Sequence, residues 1–246
     1  MKYAIALLLG FITGLLLFAV GLVYNPFIGD RGLSPLSVTD GRVMTLTFSN
    51  VPSDSIAYTN DGESTHMPHP EKVLQLWEAP IRLTSTMTTV LHDARDDVAG
   101  IGVKFTSKSE ETRLLNGEAM TNSVWYIYLP RQGSLFVQQT ENYWRFLSEV
   151  GFSAWRSSGN NWRGTWLGDL TSGPGVLGTA SVSGGAGGLA ELETEAVESL
   201  TVRAFSTDTG FVAAEGRLLI EMPRRGPSAE SPDPRGTLSP QARRSQ

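Results

Sequence analysis

Two of the chain's histidines, His66 and His69, stand in the stretch Thr65-His66-Met67-Pro68-His69-Pro70-Glu71. Imidazole, thioether and carboxylate in one short segment suit zinc or copper. Pro68 and Pro70 exclude a regular helix there, so the spacing does not make the rings converge, and no third ligand is set. The segment reads as a solvated loop. Asp93, Asp96 and Asp97, around Arg95, offer oxygens of the kind calcium takes. They lack the alternating spacing of a calcium loop and read as a charged, exposed turn. Gly184, Gly185, Gly187 and Gly188 are followed by no Lys-Ser/Thr and lack the dinucleotide-binding spacing. They read as a turn that needs positive φ. No G-x-S-x-G occurs, and no Ser-His-Asp set can be assembled from His66, His69 and His92. The absence of cysteine excludes disulfides, thiolate zinc sites and a Cys nucleophile. The expectation is a protein with no metal and no cofactor. Whether it is an enzyme stays open, leaning to no.

The densest chemistry is aromatic. Trp125, Tyr126, Tyr128, Phe136, Tyr143, Trp144, Phe146, Phe152, Trp155, Trp162 and Trp166 make up half of the chain's aromatic residues. Trp144-Arg145, Trp155-Arg156 and Trp162-Arg163 repeat one pair. Tryptophan faces line apolar ligand cavities or stack on sugars, and a guanidinium binds carboxylate or phosphate. The same side chains also fill a core or seat a domain on a membrane surface. The candidate ligand-binding set is therefore Trp125, Trp144, Trp155, Trp162, Trp166, Arg145, Arg156 and Arg163. No catalytic residue can be named.

The elements that must carry these residues begin with Ala4 to Val23, a run without a charge. At about 1.5 Å per residue it matches the roughly 30 Å of a bilayer's hydrocarbon layer. It exceeds a usual signal-peptide core of about 7–15 residues, and Tyr24 resembles an interfacial anchor. Ala19-Val20-Gly21 is the competing cleavage site. Lys2 before the run places the N-terminus in the cytoplasm and the body outside, in the inner membrane. Gly10 and Gly14 form a G-x-x-x-G that lets two helices approach, or are ordinary glycines of a membrane helix.

Asn25 to Asp40 is turn-rich and reads as a stalk. Strand patterns follow. Val43–Phe48 is β-rich. Ile81, Leu83, Met87 and Leu91 share one parity, and Ile101, Val103 and Phe105 alternate with Gly102, Lys104 and Thr106. Val124–Leu129, a turn at Pro130–Gly133, and Leu135 and Val137 form a hairpin. Arg163–Leu170 and Val176–Val182 flank a turn at Thr171–Gly175, and Phe211–Met222 closes the series. Helical turns are expected at Glu71–Trp77 and Trp144–Val150, while Leu189–Leu200 suits helix or strand. After Pro223 a proline-rich stretch with five arginines cannot bury a core and reads as disordered.

The sequence thus predicts a mainly β protein: a single transmembrane helix, then one antiparallel β-barrel of about eight strands with short helical turns and a disordered tail. The boundaries are 1–24 for the anchor, 25–41 for the stalk, 42–223 for the barrel and 224–246 for the tail. The segment Leu177-Gly178-Thr179-Ala180-Ser181-Val182-Ser183-Gly184-Gly185-Ala186-Gly187-Gly188-Leu189 resembles a turn of the allene oxide cyclase and dirigent barrels. There a strand enters a Gly-Gly-Thr-Gly-like turn; here Ala186 stands for the threonine. The resemblance covers only the C-terminal part, implies an eight-stranded antiparallel barrel, and carries over no catalytic residue.

With 20 basic against 25 acidic residues the net charge is −5, which argues against nucleic acid as a partner. The leading expectation is a membrane-anchored, extracytoplasmic (periplasmic) barrel that binds an apolar or amphipathic small molecule or supports a membrane complex. Its partners would be the membrane, through residues 4–23, and another copy of itself or a complex subunit. The alternatives are a cyclase or isomerase of the allene oxide cyclase-like type and a purely structural accessory subunit.

Overall fold

A computed structural model describes residues 2–23, 42–54, 58–60, 63–66 and 83–222. The stalk at 25–41, the tail at 224–246, the helical turn expected at 71–77 and His69 lie outside the described residues. Helix α1 (Lys2–Val23) comes first. Its apolar side chains are exposed, Leu7 and Phe11 among them, and nothing lies within 4 Å of where a Cβ would stand at Gly10 or Gly14. Side chains are described without a break only over 5–18, and no membrane span is delimited among the described residues. The transmembrane role of α1 is therefore a matter of proposal.

The strands are β1 (Arg42–Ser49), β2 (Tyr58–Asn60), β3 (Glu63–His66), β4 (Thr84–His92), β5 (Val98–Lys108), β6 (Met120–Leu129), β7 (Gly133–Asn142), β8 (Asn161–Asp169), β9 (Thr171–Gly173), β10 (Ala180–Gly187), β11 (Glu193–Ser206) and β12 (Gly210–Met222). Eight of them form an antiparallel ring in the order β1-β12-β11-β10-β7-β6-β5-β4, closed by β4 pairing back to β1 at Thr47 and His92. Closure removes the open edges that would otherwise template pairing with another chain. Between β7 and β11 the wall is shared. β10 spans it at one end, while β9 on β7 and β8 on β11 build it at the other.

Several sequence expectations change here. Thr171–Gly175 is not simply a turn, because Thr171–Gly173 pairs with β7 as a strand of its own. The expected strand from Val176 starts at Ala180, and the segment that suited helix or strand enters β11. The helical stretch expected to end at Val150 continues to Arg156. Trp144–Phe146, Leu147–Gly151 and Phe152–Arg156 run on as one segment, α2, with a π-helical middle. In the glycine run, positive φ falls on Gly187 (+69°), where the β10 backbone meets Gly133 (+126°) of β7. A Cβ at Gly187 would stand 2.8 Å from the Gly133 Cα.

Alternation in β5 is present with its apolar parity outward: Ile101 and Phe105 are exposed, while Gly100, Gly102 and Lys104 are buried. The reason is steric. A Cβ at Gly102 would stand 2.8 Å from the Trp125 ring, and one at Gly216 would run into Phe48. Glycine on the inner face makes room for those two rings, which meet edge to face at 4.7 Å.

The interior is layered. One apolar cluster holds Leu46, Phe48, Leu91, Trp125, Ile127 and Val137 with their neighbours. A second, under α2, joins Phe146 and Val150 to Trp166, Leu170, Leu200 and Val202. Along β7 and β11 the buried parity passes from apolar to polar at Gln139, Glu141 and Glu198, between these clusters.

Candidate functional site

The polar layer contains three charges. Lys104 of β5 is 6% exposed, Glu141 of β7 is fully buried and Glu198 of β11 is 1% exposed. Each points inward because strand geometry sends every second side chain to the same face. The Lys104 Nζ donates to Glu141 Oε1 at 2.5 Å and to Glu198 Oε1 at 2.6 Å, and it lies 5.3 Å from the centre of the Trp125 ring. The remaining carboxylate oxygens are also met by donors. Ser123 Oγ reaches Glu141 Oε1 at 3.0 Å, Thr121 Oγ1 reaches Oε2 at 3.1 Å, and Gln139 Nε2 reaches Oε1 at 2.8 Å. Trp125 Nε1 donates to Glu198 Oε2 at 2.9 Å, and Gln139 Nε2 donates to the same oxygen.

β9 locks the arrangement. Thr171 Oγ1 donates to Gln139 Oε1 at 2.8 Å and accepts the Glu198 backbone N–H at 2.7 Å. Gln139 is thereby held with its amide nitrogen toward both carboxylates.

Burial pulls the Lys104 ammonium down, but the two carboxylates outweigh it and hold the group above its ordinary value. Burial pushes the Glu141 carboxyl up. Lys104 and the Ser123 and Thr121 hydroxyls outweigh that and hold it below the ordinary glutamate value. At Glu198, burial and the charge of Glu141 prevail over Lys104 and Trp125, and the carboxyl lies above its ordinary value. One ammonium thus serves two unequal acids.

Lys104 also borders a cavity of about 120 Å³, lined by Asn50, Ser85, Met87, Thr106, Tyr143 and Phe211 among others. The site therefore combines a buried cation, two carboxylates and an indole N–H, with a space beside the cation. It can donate hydrogen bonds to a guest and hold or move a proton. No cluster of potential metal ligands occurs among the described residues. Asp93 accepts the backbone N–H groups of Arg95 and Asp97 at 2.7 and 3.1 Å, as the turn reading expects.

Of the aromatic and arginine candidates, Trp125 alone joins this layer. Trp166 and Trp162 belong to the apolar cluster under α2, and Trp166 Nε1 donates to Glu149 Oε2 at 2.8 Å. Trp144 is half-buried at the start of α2, and Trp155 is 66% exposed beside Phe152. Arg145 pairs with Glu149 at 3.2 Å, Arg156 lies over the Phe152 ring, and Arg163 is exposed on β8. The structure does not gather the eight into one pocket.

Lys104, Gln139, Glu141 and Glu198 were not among the candidates. For the last three a signal was present: a polar or charged residue interrupts an apolar parity in Leu135-Val137-Gln139-Glu141 and in Ala196-Glu198-Leu200-Val202, whereas Lys104 sits on the polar parity of its strand.

No family model matches the chain, and no curated protein does. Among solved structures, a match is a protein described as a nonspecific heme-binding cyclase that catalyses [4 + 2] cycloaddition during neoabyssomicin biosynthesis. The identity is 9% and the TM-score 0.33, over 87% of this chain and 75% of that one. A likeness at that level carries no argument about activity here.

Proposed function

We propose that this protein is a barrel that binds a small molecule at the cavity beside Lys104, held at a membrane by α1. The observation that carries this reading is the buried Lys104–Glu141–Glu198 cluster, whose Lys104 borders that cavity. Burying charges costs desolvation free energy, and an apolar layer of equal volume is often as stable or more so. Buried, unequal titrating groups beside a cavity are characteristic of sites that act on a guest. About 120 Å³ is below the roughly 300–1,000 Å³ of pockets for drug-sized ligands. The occupant is a compact molecule or one end of an amphipathic one. Trp125 holds Glu198 behind Lys104 through its indole N–H, and Trp162 and Trp166 belong to the second apolar cluster.

Lys2–Val23 supports the anchor: its length corresponds to about 33 Å of helix, and Lys2 is its only charge. The positive-inside rule then puts the N-terminus in the cytoplasm and the barrel on the far side of the inner membrane.

One observation favours an enzyme, a cyclase or isomerase, as the second reading. Glu141 and Glu198 share the Lys104 ammonium within one buried layer, an arrangement in which one carboxyl can serve as acid and the other as base.

Native mass spectrometry of the full chain, released from mild detergent, tests the binding reading. A small molecule should accompany the wild type and be missing from Lys104→Met. A wild type with no bound molecule, whether taken from detergent or from native lipid particles, would remove it.

A further inference from the structure

The hydrogen-bonding inventory of the cluster is nearly closed, and what is left open selects the guest. An ammonium has three donors. Lys104 spends two, on Glu141 Oε1 and Glu198 Oε1. Its third N–H has no protein acceptor among the described residues, and the side chain borders the cavity. The four carboxylate oxygens already receive Lys104, Ser123, Thr121, Gln139 and Trp125. All these partners are donors, which is the surrounding of carboxylates rather than carboxylic acids. Two carboxylates on one ammonium leave the layer with one net negative charge.

At the Lys104 end of the cavity a guest therefore meets an ammonium donor within a negative field, while the amide of Asn50 and the hydroxyls of Ser85, Thr106 and Tyr143 line the rest. A carboxylate or phosphate would gain the Lys104 N–H but bring a further negative charge against two glutamates, where low dielectric makes the repulsion large. A cation would be drawn by the field but would be repelled by Lys104, the one charged group bordering the cavity among the described residues. A neutral oxygen acceptor satisfies both conditions. Resting on the binding reading, we infer that the cavity takes an uncharged molecule through a carbonyl oxygen, with Lys104 as donor and Glu141 and Glu198 as the groups that exclude carboxylates and phosphates.

Propionamide and propionate form a matched pair of probes, alike in shape and different in charge. The Trp125 indole N–H, which donates to Glu198, reports binding as a chemical-shift change in the ¹⁵N-labelled full chain in detergent micelles at mildly alkaline pH. Propionamide should shift that resonance saturably, with propionate weaker by about tenfold or more. Glu198→Gln removes one negative charge and should bring the two probes to within about threefold of each other. Glu141→Gln is the second charge-removing variant if Glu198→Gln does not fold. Equal binding of both probes to the wild type, or a ratio unchanged in the variant, would overturn the ligand class while leaving a small-molecule site in place. Neither probe binding would also overturn it. In that case a bound molecule found by mass spectrometry would still uphold the wider reading.

Discussion

Trp125 fills the barrel beside Phe48 and anchors Glu198 through its indole nitrogen, so it serves packing and the polar layer together. Trp125→Ala should cost about 3–5 kcal/mol in urea unfolding. Trp155→Ala, at an exposed ring, should stay within about 0.5 kcal/mol. Lys104→Met strands two buried carboxylates and should cost about 3–5 kcal/mol; adding Glu141→Leu and Glu198→Leu should recover most of it. The pH dependence has a definite sign. Glu141 is lowered in the fold, so its contribution is present above its unfolded value and lost as pH falls through the folded one. Glu198 is raised, so its contribution is present below its unfolded value and lost as pH rises through the folded one. Unfolding free energy measured against pH should therefore fall less steeply on the acid side in Glu141→Gln. The part of the decline above the ordinary glutamate value that Glu198 contributes should disappear in Glu198→Gln.

At the scale of elements, short β9 does more than its length suggests. Its Thr171 holds Gln139 and takes the Glu198 backbone N–H. Thr171→Val should leave a buried amide without an acceptor, cost about 1–3 kcal/mol, and weaken ligand binding as Gln139 loses its orientation. Thr171→Ser should restore both, which separates the hydroxyl's role from packing. β5 depends on absence of bulk. Gly102→Ala drives a Cβ to 2.8 Å from the Trp125 ring and should cost about 1–3 kcal/mol as the ring is displaced. The shift in Trp125 fluorescence is its second readout.

For the whole molecule, the ring and α1 make separable predictions. The full chain should sediment with membranes and resist alkaline carbonate, with the barrel cut by protease added outside an intact inner membrane. A soluble form beginning near Leu22 would show a cleaved signal instead. A chain lacking residues 1–24 should keep the barrel's unfolding free energy to within about 0.5 kcal/mol, because the exposed apolar side chains of α1 contribute no barrel core.

What the sequence by itself determined is what local physics can decide. The apolar run that becomes α1, the alternation in β4, the Pro130–Gly133 turn of the β6–β7 hairpin and the succession of short strands all follow from neighbours a few residues apart. The tertiary structure decided the rest. Alternation places Lys104 opposite Phe105 in parity but does not say which face is inside. That depends on Trp125 needing the space at Gly102 and on Glu198, 94 positions away, arriving beside the ammonium. The aromatic residues are dense in sequence, yet β6, α2 and β8 carry them to different layers. The charged residues are scattered in sequence, yet three strands bring them together. A buried charge is tolerated only when its partners are in place, and those partners come from strands that meet only when the ring closes.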